Sequence, residues 1–218
     1  MKRLLRFVFH AAVLVGVAGC ATPPPEVSYS VRAIRPANMD AVKVKVSLRT
    51  QIIYVMEGDK MLMAAATCIG LPEKPTPKGQ FRITNKLPNK RSNSYGFFIN
   101  GNGIEPGEAA HPKSGRFVGY PMPYWCEFSP GYGFHAGYVH PVPRTHGCLR
   151  LNNTVAPKFF ALVKEGTPVN IAYEQPEDAN YASQVARPKD YKDPDPPAEF
   201  MISDKFFAPA PGPLLYDL

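Results

Sequence analysis

The chain reads as a mainly β domain with one or two short helices, and three observations predict it. Val42 to Arg49 alternates strictly, with Val42, Val44, Val46 and Leu48 on one side and Lys43, Lys45, Ser47 and Arg49 on the other. That period belongs to a half-buried strand. Gln51 to Met56 and Met61 to Ile69 are apolar runs joined by Glu57-Gly58-Asp59-Lys60, so strand, tight turn and strand make a hairpin. Helical spacing is sustained once, at Val155, Phe159, Leu162 and Val163.

The elements follow in order. Lys2, Arg3 and Arg6 precede an apolar run from Phe7 to Val17, and these 11 residues are too few to span a bilayer, which takes about 20. The pattern fits a signal peptide. Val17-Ala18-Gly19-Cys20 resembles a lipobox, whose cysteine is acylated and becomes the first residue; an ordinary small-residue cleavage site or an uncleaved anchor is the alternative. Ala21 after the cysteine resembles the Gram-negative lipoproteins exported to the outer membrane facing the periplasm. Residues 20–41 open with Ala-Thr-Pro-Pro-Pro-Glu after Cys20, stay irregular and read as an extended tether.

Beyond the hairpin, Leu71 to Lys78 carries Pro72, Pro75 and Pro77 and reads as a loop. Phe81 to Thr84 is a short strand, Lys86 to Tyr95 a polar surface loop, and Phe97 to Asn100 a strand. Gly101 to Gly119 has no period, and its His111 reads as an ordinary surface residue. Met122 to Phe128 is a strand, with its aromatics either packed in the core or, for Tyr124 and Trp125, facing a cleft. Asn152 or Asn153 is placed to cap the helix, Glu165-Gly166 to end it, and Thr167 to Tyr173 is a β-branched final strand. Residues 174–218 are Pro-rich and of mixed charge, and read as a loosely ordered tail or a wrapping extension, with Phe206-Phe207 and Leu214-Leu215-Tyr216 able to dock.

The chain carries 25 basic and 18 acidic residues, and loss of Lys2, Arg3 and Arg6 with the leader removes three from a formal charge of +7. The remainder is mildly basic, without a basic stripe interleaved with aromatics, so no nucleic-acid partner is expected. It is compatible with an anionic cell wall.

The chemistry concentrates in residues 132–152. A thiol at Cys148 has an imidazole two residues upstream at His146, Gly147 directly before it and Arg150 two residues after, and His135-Ala136-Gly137 lies upstream across a Pro-bearing loop. A free thiol is mostly protonated at neutral pH, with a pKa near about 8.5; an imidazole can take the proton and a cation stabilises the thiolate. Gly147 permits a positive φ or a close backbone approach. Its N–H and that of Cys148 then suit a developing oxyanion. Arg150 suits bidentate binding of a carboxylate. Zinc held by Cys148, His146 and His135 is the alternative, but structural zinc takes four ligands, usually with paired cysteines, and there is no Cys-x-x-Cys.

Phe134-His135-Ala136-Gly137 followed by Thr145-His146-Gly147-Cys148-Leu149-Arg150-Leu151 resembles the signature of the L,D-transpeptidase catalytic domain (YkuD-type), in a compact His-Ala-Gly … Ser/Thr-His-Gly-Cys form. Pro75-Thr76-Pro77-Lys78-Gly79-Gln80-Phe81, Met122-Pro123-Tyr124-Trp125 and Gly166-Thr167-Pro168-Val169 resemble further elements of that family, so the resemblance covers about residues 42–173. It implies a β-sandwich-like fold that needs no cofactor or metal. It also implies a cysteine acyl-enzyme formed on the tetrapeptide stems of peptidoglycan. Cys148 would be the nucleophile and His135 the general base, with His146 shaping the site. Thr145, Gly147, Arg150 and Tyr124 would serve substrate and oxyanion. An amine of a second stem, a lipoprotein or water would accept the acyl group; water makes the protein an L,D-carboxypeptidase. A silent wall-binding lipoprotein on the same fold is the alternative from another class.

The implied organisation is a signal peptide at 1–19, a tether at 20–41 carrying the lipidation site Cys20, a catalytic domain at 42–173 and an extension at 174–218. In an exported protein Cys68 and Cys126 either pair or remain buried thiols.

Overall fold

Alternation in the first strands decides where the core forms. The computed structural model describes residues 29–210 and 212–217. Cys20, the apolar leader and the first part of the tether lie outside those residues. Strands β1 (Val42–Ser47), β2 (Ile52–Glu57) and β3 (Lys60–Cys68) form an antiparallel meander. Val42, Val44 and Val46 turn inward and are fully buried, while Lys43 is exposed. Gly58, with φ +59°, makes the turn between β2 and β3.

The chain continues through β4 (Gly79–Arg82), β5 (Asn85–Asn100), β6 (Gly103–Glu108), β7 (Arg116–Ser129), β8 (Tyr132–Ala136) and β9 (Leu149–Leu151). Helix α1 (Ala156–Leu162), strand β10 (Pro168–Ala172), and helices α2 (Asp178–Tyr181) and α3 (Ala198–Ile202) follow. The strand order is β4-β10-β1-β2-β3-β9-β8-β7-β5-β6. Neighbours are antiparallel except the parallel pairs β1/β10 and β8/β9. Strand β3 serves both halves: Lys60 to Ala66 pair with β2, and Thr67 and Cys68 pair with β9. One core lies between the halves, drawing Val44, Ile53 and Leu62 from the first and Phe128, Phe134 and Leu149 from the second. Helix α1 closes it, with the Phe159 ring 4.5 Å from that of Phe134. The fold is the mainly β, sandwich-like architecture expected.

Four expectations need correction. Lys86 to Tyr95, expected as a surface loop, belongs to the 16-residue β5, and Gly101 to Gly119 contains β6 and the start of β7. Much of β5 is half-exposed or exposed, so its backbone pairing with β7 leaves no period-two signal. Three short α-helices stand where one or two were expected, because α2 and α3 have only 4 and 5 residues, too few to show a period. Helix α1 begins after Val155 with a proline in its first turn; Asn152 instead accepts the Thr154 N–H ahead of it, and Gly166 lies in the turn beyond. Residues 29–41 are no free tether. Ala33 is fully buried, the Ile34 N–H donates to the Leu62 carbonyl, and Lys158 Nζ donates to the Val31 carbonyl. The unpaired backbone of an extended chain finds partners on the domain.

The extension wraps the domain, and Asp178 fixes its start. This carboxylate accepts from Ser47 Oγ (2.7 Å), Tyr54 OH (2.8 Å), Thr50 Oγ1 (3.0 Å) and the Gln175 N–H (3.1 Å). Burial alone would raise its pKa, but these donors hold it below the ordinary value. Asp178→Ala strands the hydroxyl of the fully buried Tyr54. The expected loss is about 3 kcal/mol, read as a lower urea midpoint. Because the folded pKa is depressed, this contribution is present above the unfolded carboxylate pKa of about 3.9 and fades as pH falls through the folded value. A midpoint unchanged by the substitution at pH 7 would refute this role.

Candidate active site

The pairing of β8 with β9 builds the site. Phe134 lies opposite Leu149, His135 opposite Arg150 and Ala136 opposite Leu151. Phe134, Leu149 and Leu151 are fully buried in the core. Strand alternation therefore sends His135 and Arg150 to the other face. Cys148 lies just before β9, and the same alternation continued one residue back assigns it to that face. Cys68, in register with Arg150 across β3/β9, borders the same face.

Cys148 is half-buried, and its thiol donates to the Gly131 carbonyl at 3.7 Å. Burial raises the thiol pKa above its usual value, while the Gly133 backbone and the Arg150 charge pull it back in part. His135 is 7 % exposed, and its Nδ1 lies 2.8 Å from the Ala136 carbonyl. A carbonyl only accepts, so this bond places the neutral ring's proton on Nδ1 and leaves Nε2 an acceptor. Burial pushes the imidazole down to about 4, and the Arg150 charge acts in the same direction against the pull of the Ala136 carbonyl. Thiol and imidazole are therefore both neutral at pH 7 and do not form an ion pair. Trp125, 2 % exposed, packs its ring 6.2 Å from that of His135, so it is a core residue that also walls this imidazole.

Two glycines let the loop that carries Cys148 close. Gly147 has φ +105°, and a Cβ there would stand 2.4 Å from Tyr132 Cε1. Gly70, at the end of the hairpin, packs against Gly147: a Cβ on it would meet Gly147 Cα at 2.8 Å. Thr145 locks the turn, its hydroxyl donating to the Cys148 carbonyl (2.6 Å) and accepting the Gly147 N–H (3.1 Å). The N–H of Gly147, expected to face an oxyanion, has Thr145 as its partner instead, because the turn folds it back onto that hydroxyl.

The remaining expected residues separate. His146 is exposed between buried Thr145 and Gly147, and its ring lies 4.6 Å from that of Tyr95. Lys74 Nζ donates to the Tyr95 hydroxyl at 3.1 Å. His146 thus belongs to the outer rim rather than to the face of His135. Arg150 runs its stem over Gly137, where a Cβ would come within 3.2 Å of Cδ. Tyr124, with φ +57°, packs against Phe160 of α1 at 5.8 Å and accepts the Ala210 N–H at its hydroxyl. Cys68 and Cys126 are free and buried, not paired, and burial raises both thiols, Cys126 to about 12. Among the described residues no three His, Cys, Asp or Glu side chains converge as metal ligands. The rim residues Tyr95 and Lys74, and Tyr132 beneath Gly147, carry no motif of their own. The one sequence signal is the Gly-Tyr-Gly at 131–133.

Residues 41–171 match the L,D-transpeptidase catalytic domain family (YkuD), and the chain belongs to that family. No curated protein matches the chain. Among solved structures, it is similar to an L,D-transpeptidase from Mycobacterium smegmatis, with 18 % identity, TM-score 0.47, and coverage of 61 % of this chain and 58 % of that one. It is also similar to an L,D-transpeptidase from Stackebrandtia nassauensis, with 22 % identity, TM-score 0.46 and coverage of 66 % and 60 %. A third is an L,D-transpeptidase from Enterococcus faecium, with 23 % identity, TM-score 0.44 and coverage of 61 % and 50 %. The aligned part spans three fifths or less of the length of these chains.

Proposed function

We propose that the protein is a peptidoglycan L,D-transpeptidase working through a Cys148 acyl-enzyme. The observation that carries this reading is the β8/β9 pairing, which sets His135 opposite Arg150, two residues from Cys148, with Nδ1 committed to the Ala136 carbonyl. In this reading Nε2 of His135 takes the thiol proton as sulfur attacks the carbonyl between residues three and four of a donor tetrapeptide stem. The tetrahedral intermediate collapses, the terminal D-amino acid leaves as the amine after taking that proton, and the thioester remains. The Cys148 N–H stabilises the oxyanion, and Arg150 binds a stem carboxylate. An amine of a second stem, or of a lipoprotein, then attacks the thioester and frees the thiol.

Intact mass spectrometry of the protein after incubation with a carbapenem or a tetrapeptide stem tests the reading. A covalent adduct located on Cys148 supports it, and a folded, reduced protein without adduct favours the silent wall-binding alternative. Hydrolysed product without crosslinks identifies an L,D-carboxypeptidase. The N-terminal motif further supports a lipid anchor on Cys20 at the outer membrane facing the periplasm. The same spectrum of the mature chain checks this: a lipidated Cys20 as first residue is expected, and an unmodified N-terminus rejects it.

The neutral pair predicts a pH profile. As pH falls through about 4, His135 gains a proton and stops accepting. The acid limb of kcat/KM for the free enzyme is therefore expected near that value, below the ordinary imidazole value of about 6.5. A limb near 6.5 would show a solvated imidazole and reject the buried base.

A further inference from the structure

We propose that the C-terminal extension is part of the substrate groove. Residues 185–195 form a strap that walls the catalytic face and sets which peptide ends reach Cys148. A slender linear stem passes, and a bulky or crosslinked one does not. The proposal rests on the assignment of Cys148 as the acylated thiol.

The strap is anchored at both ends. Asp178 holds its start through Ser47, Thr50 and Tyr54. Arg91 on β5 holds its far end: Nη1 donates to the Met201 carbonyl (2.9 Å), and Nη2 to those of Ile202 (3.1 Å) and Ser203 (3.0 Å). The same guanidinium lies 4.8 Å over the Phe207 ring. One planar cation thus gathers a stretch of chain that has no strand partner of its own.

Between the anchors the strap follows the segment joining His135 to Cys148. Val185 packs against Ala66, Cys68 and Val139. Asn152 Nδ2 donates to Asp190 Oδ2 (2.6 Å), the Tyr191 ring lies 5.3 Å from His140, and the Tyr138 hydroxyl donates to the Pro194 carbonyl (3.0 Å). Pro188, Pro194, Pro196 and Pro197 stiffen the path, which suits a fixed wall. Gly131, whose carbonyl accepts from the thiol, and His146 are exposed, so the strap is not over them.

Alkylation of Cys148 in the full chain by a small reagent (iodoacetamide) and a bulky one (a polymer-linked maleimide) tests the wall. Peptide mapping and a Cys148→Ala control separate label at other thiols. Arg91→Ala removes the distal anchor. A second variant, with Tyr191, Pro194 and Asp195 all replaced by glycine, thins the wall and leaves both anchors, so it carries the test if the first fails to fold. Either is expected to raise the bulky-reagent rate about tenfold relative to the small-reagent rate. An unchanged ratio in the folded variants overturns the strap and leaves the thiol assignment standing. No labelling of Cys148 by the small reagent in any folded variant overturns the thiol assignment and the strap with it.

Discussion

Cys148→Ala is expected to lower turnover of a tetrapeptide stem by about a thousandfold or more while leaving the fold intact. The size follows from chemistry: without sulfur no thioester forms, and a bound water must attack unaided. Retention of the fold follows from packing. The thiol is half-buried and makes one weak bond, to the Gly131 carbonyl at 3.7 Å. The backbone of its turn is held by Thr145, through the Cys148 carbonyl and the Gly147 N–H. Circular dichroism and the urea midpoint are expected to match the native protein. Native-level turnover by the variant would exclude Cys148 as the nucleophile.

Gly70→Ala is expected to disable the site from a distance. A Cβ at this position would stand 2.4 Å from the Lys74 carbonyl oxygen, 2.7 Å from the Thr76 nitrogen and 2.8 Å from Gly147 Cα. All three are backbone atoms, so no rotamer change relieves the contact. The Gly70 N–H also donates to Thr76 Oγ1, and Gly70 bridges to Thr145. The loop at 71–76 and the turn carrying Cys148 must separate. Stability is expected to fall by about 3 kcal/mol. Acylation of the thiol is expected to slow about a hundredfold, since a displacement near one ångström at the reacting atoms costs that much. The thermal midpoint and the carbapenem adduct rate read the two effects separately. A native adduct rate would show that the turn holds its geometry without this contact.

The parts legible in the sequence are those in which neighbours along the chain are neighbours in function. The first three strands announce themselves because β1 alternates into a single core and Gly58 makes the turn. The motif at 147–150 stands out because thiol, tight turn and cation sit within four residues, and His135 because its Ala-Gly follows at once. The first part of β5, 85–95, is hidden because its pairing with β7 runs through backbone while its side chains are half-exposed or exposed. The extension is hidden for the same reason at its far end: Arg91 binds carbonyl groups at 201–203, which any residue supplies. The partner of the Gly147 N–H depends on a turn whose shape three flanking segments impose.

The pairing of β1 with β10 has a kinetic consequence. Val44 lies beside Val169, and Val46 beside Ile171. Until residues 168–172 exist, β1 has a neighbour only in β2, and the strand order cannot be completed through β10 to β4. The hairpin of β2 and β3 is local, whereas the strand that closes the order is remote from its partner in sequence. Contacts that far apart in sequence carry a loop-closure cost that slows folding. The sheet is thus one whose closure is expected to wait on its last strand, which joins residues more than a hundred positions apart.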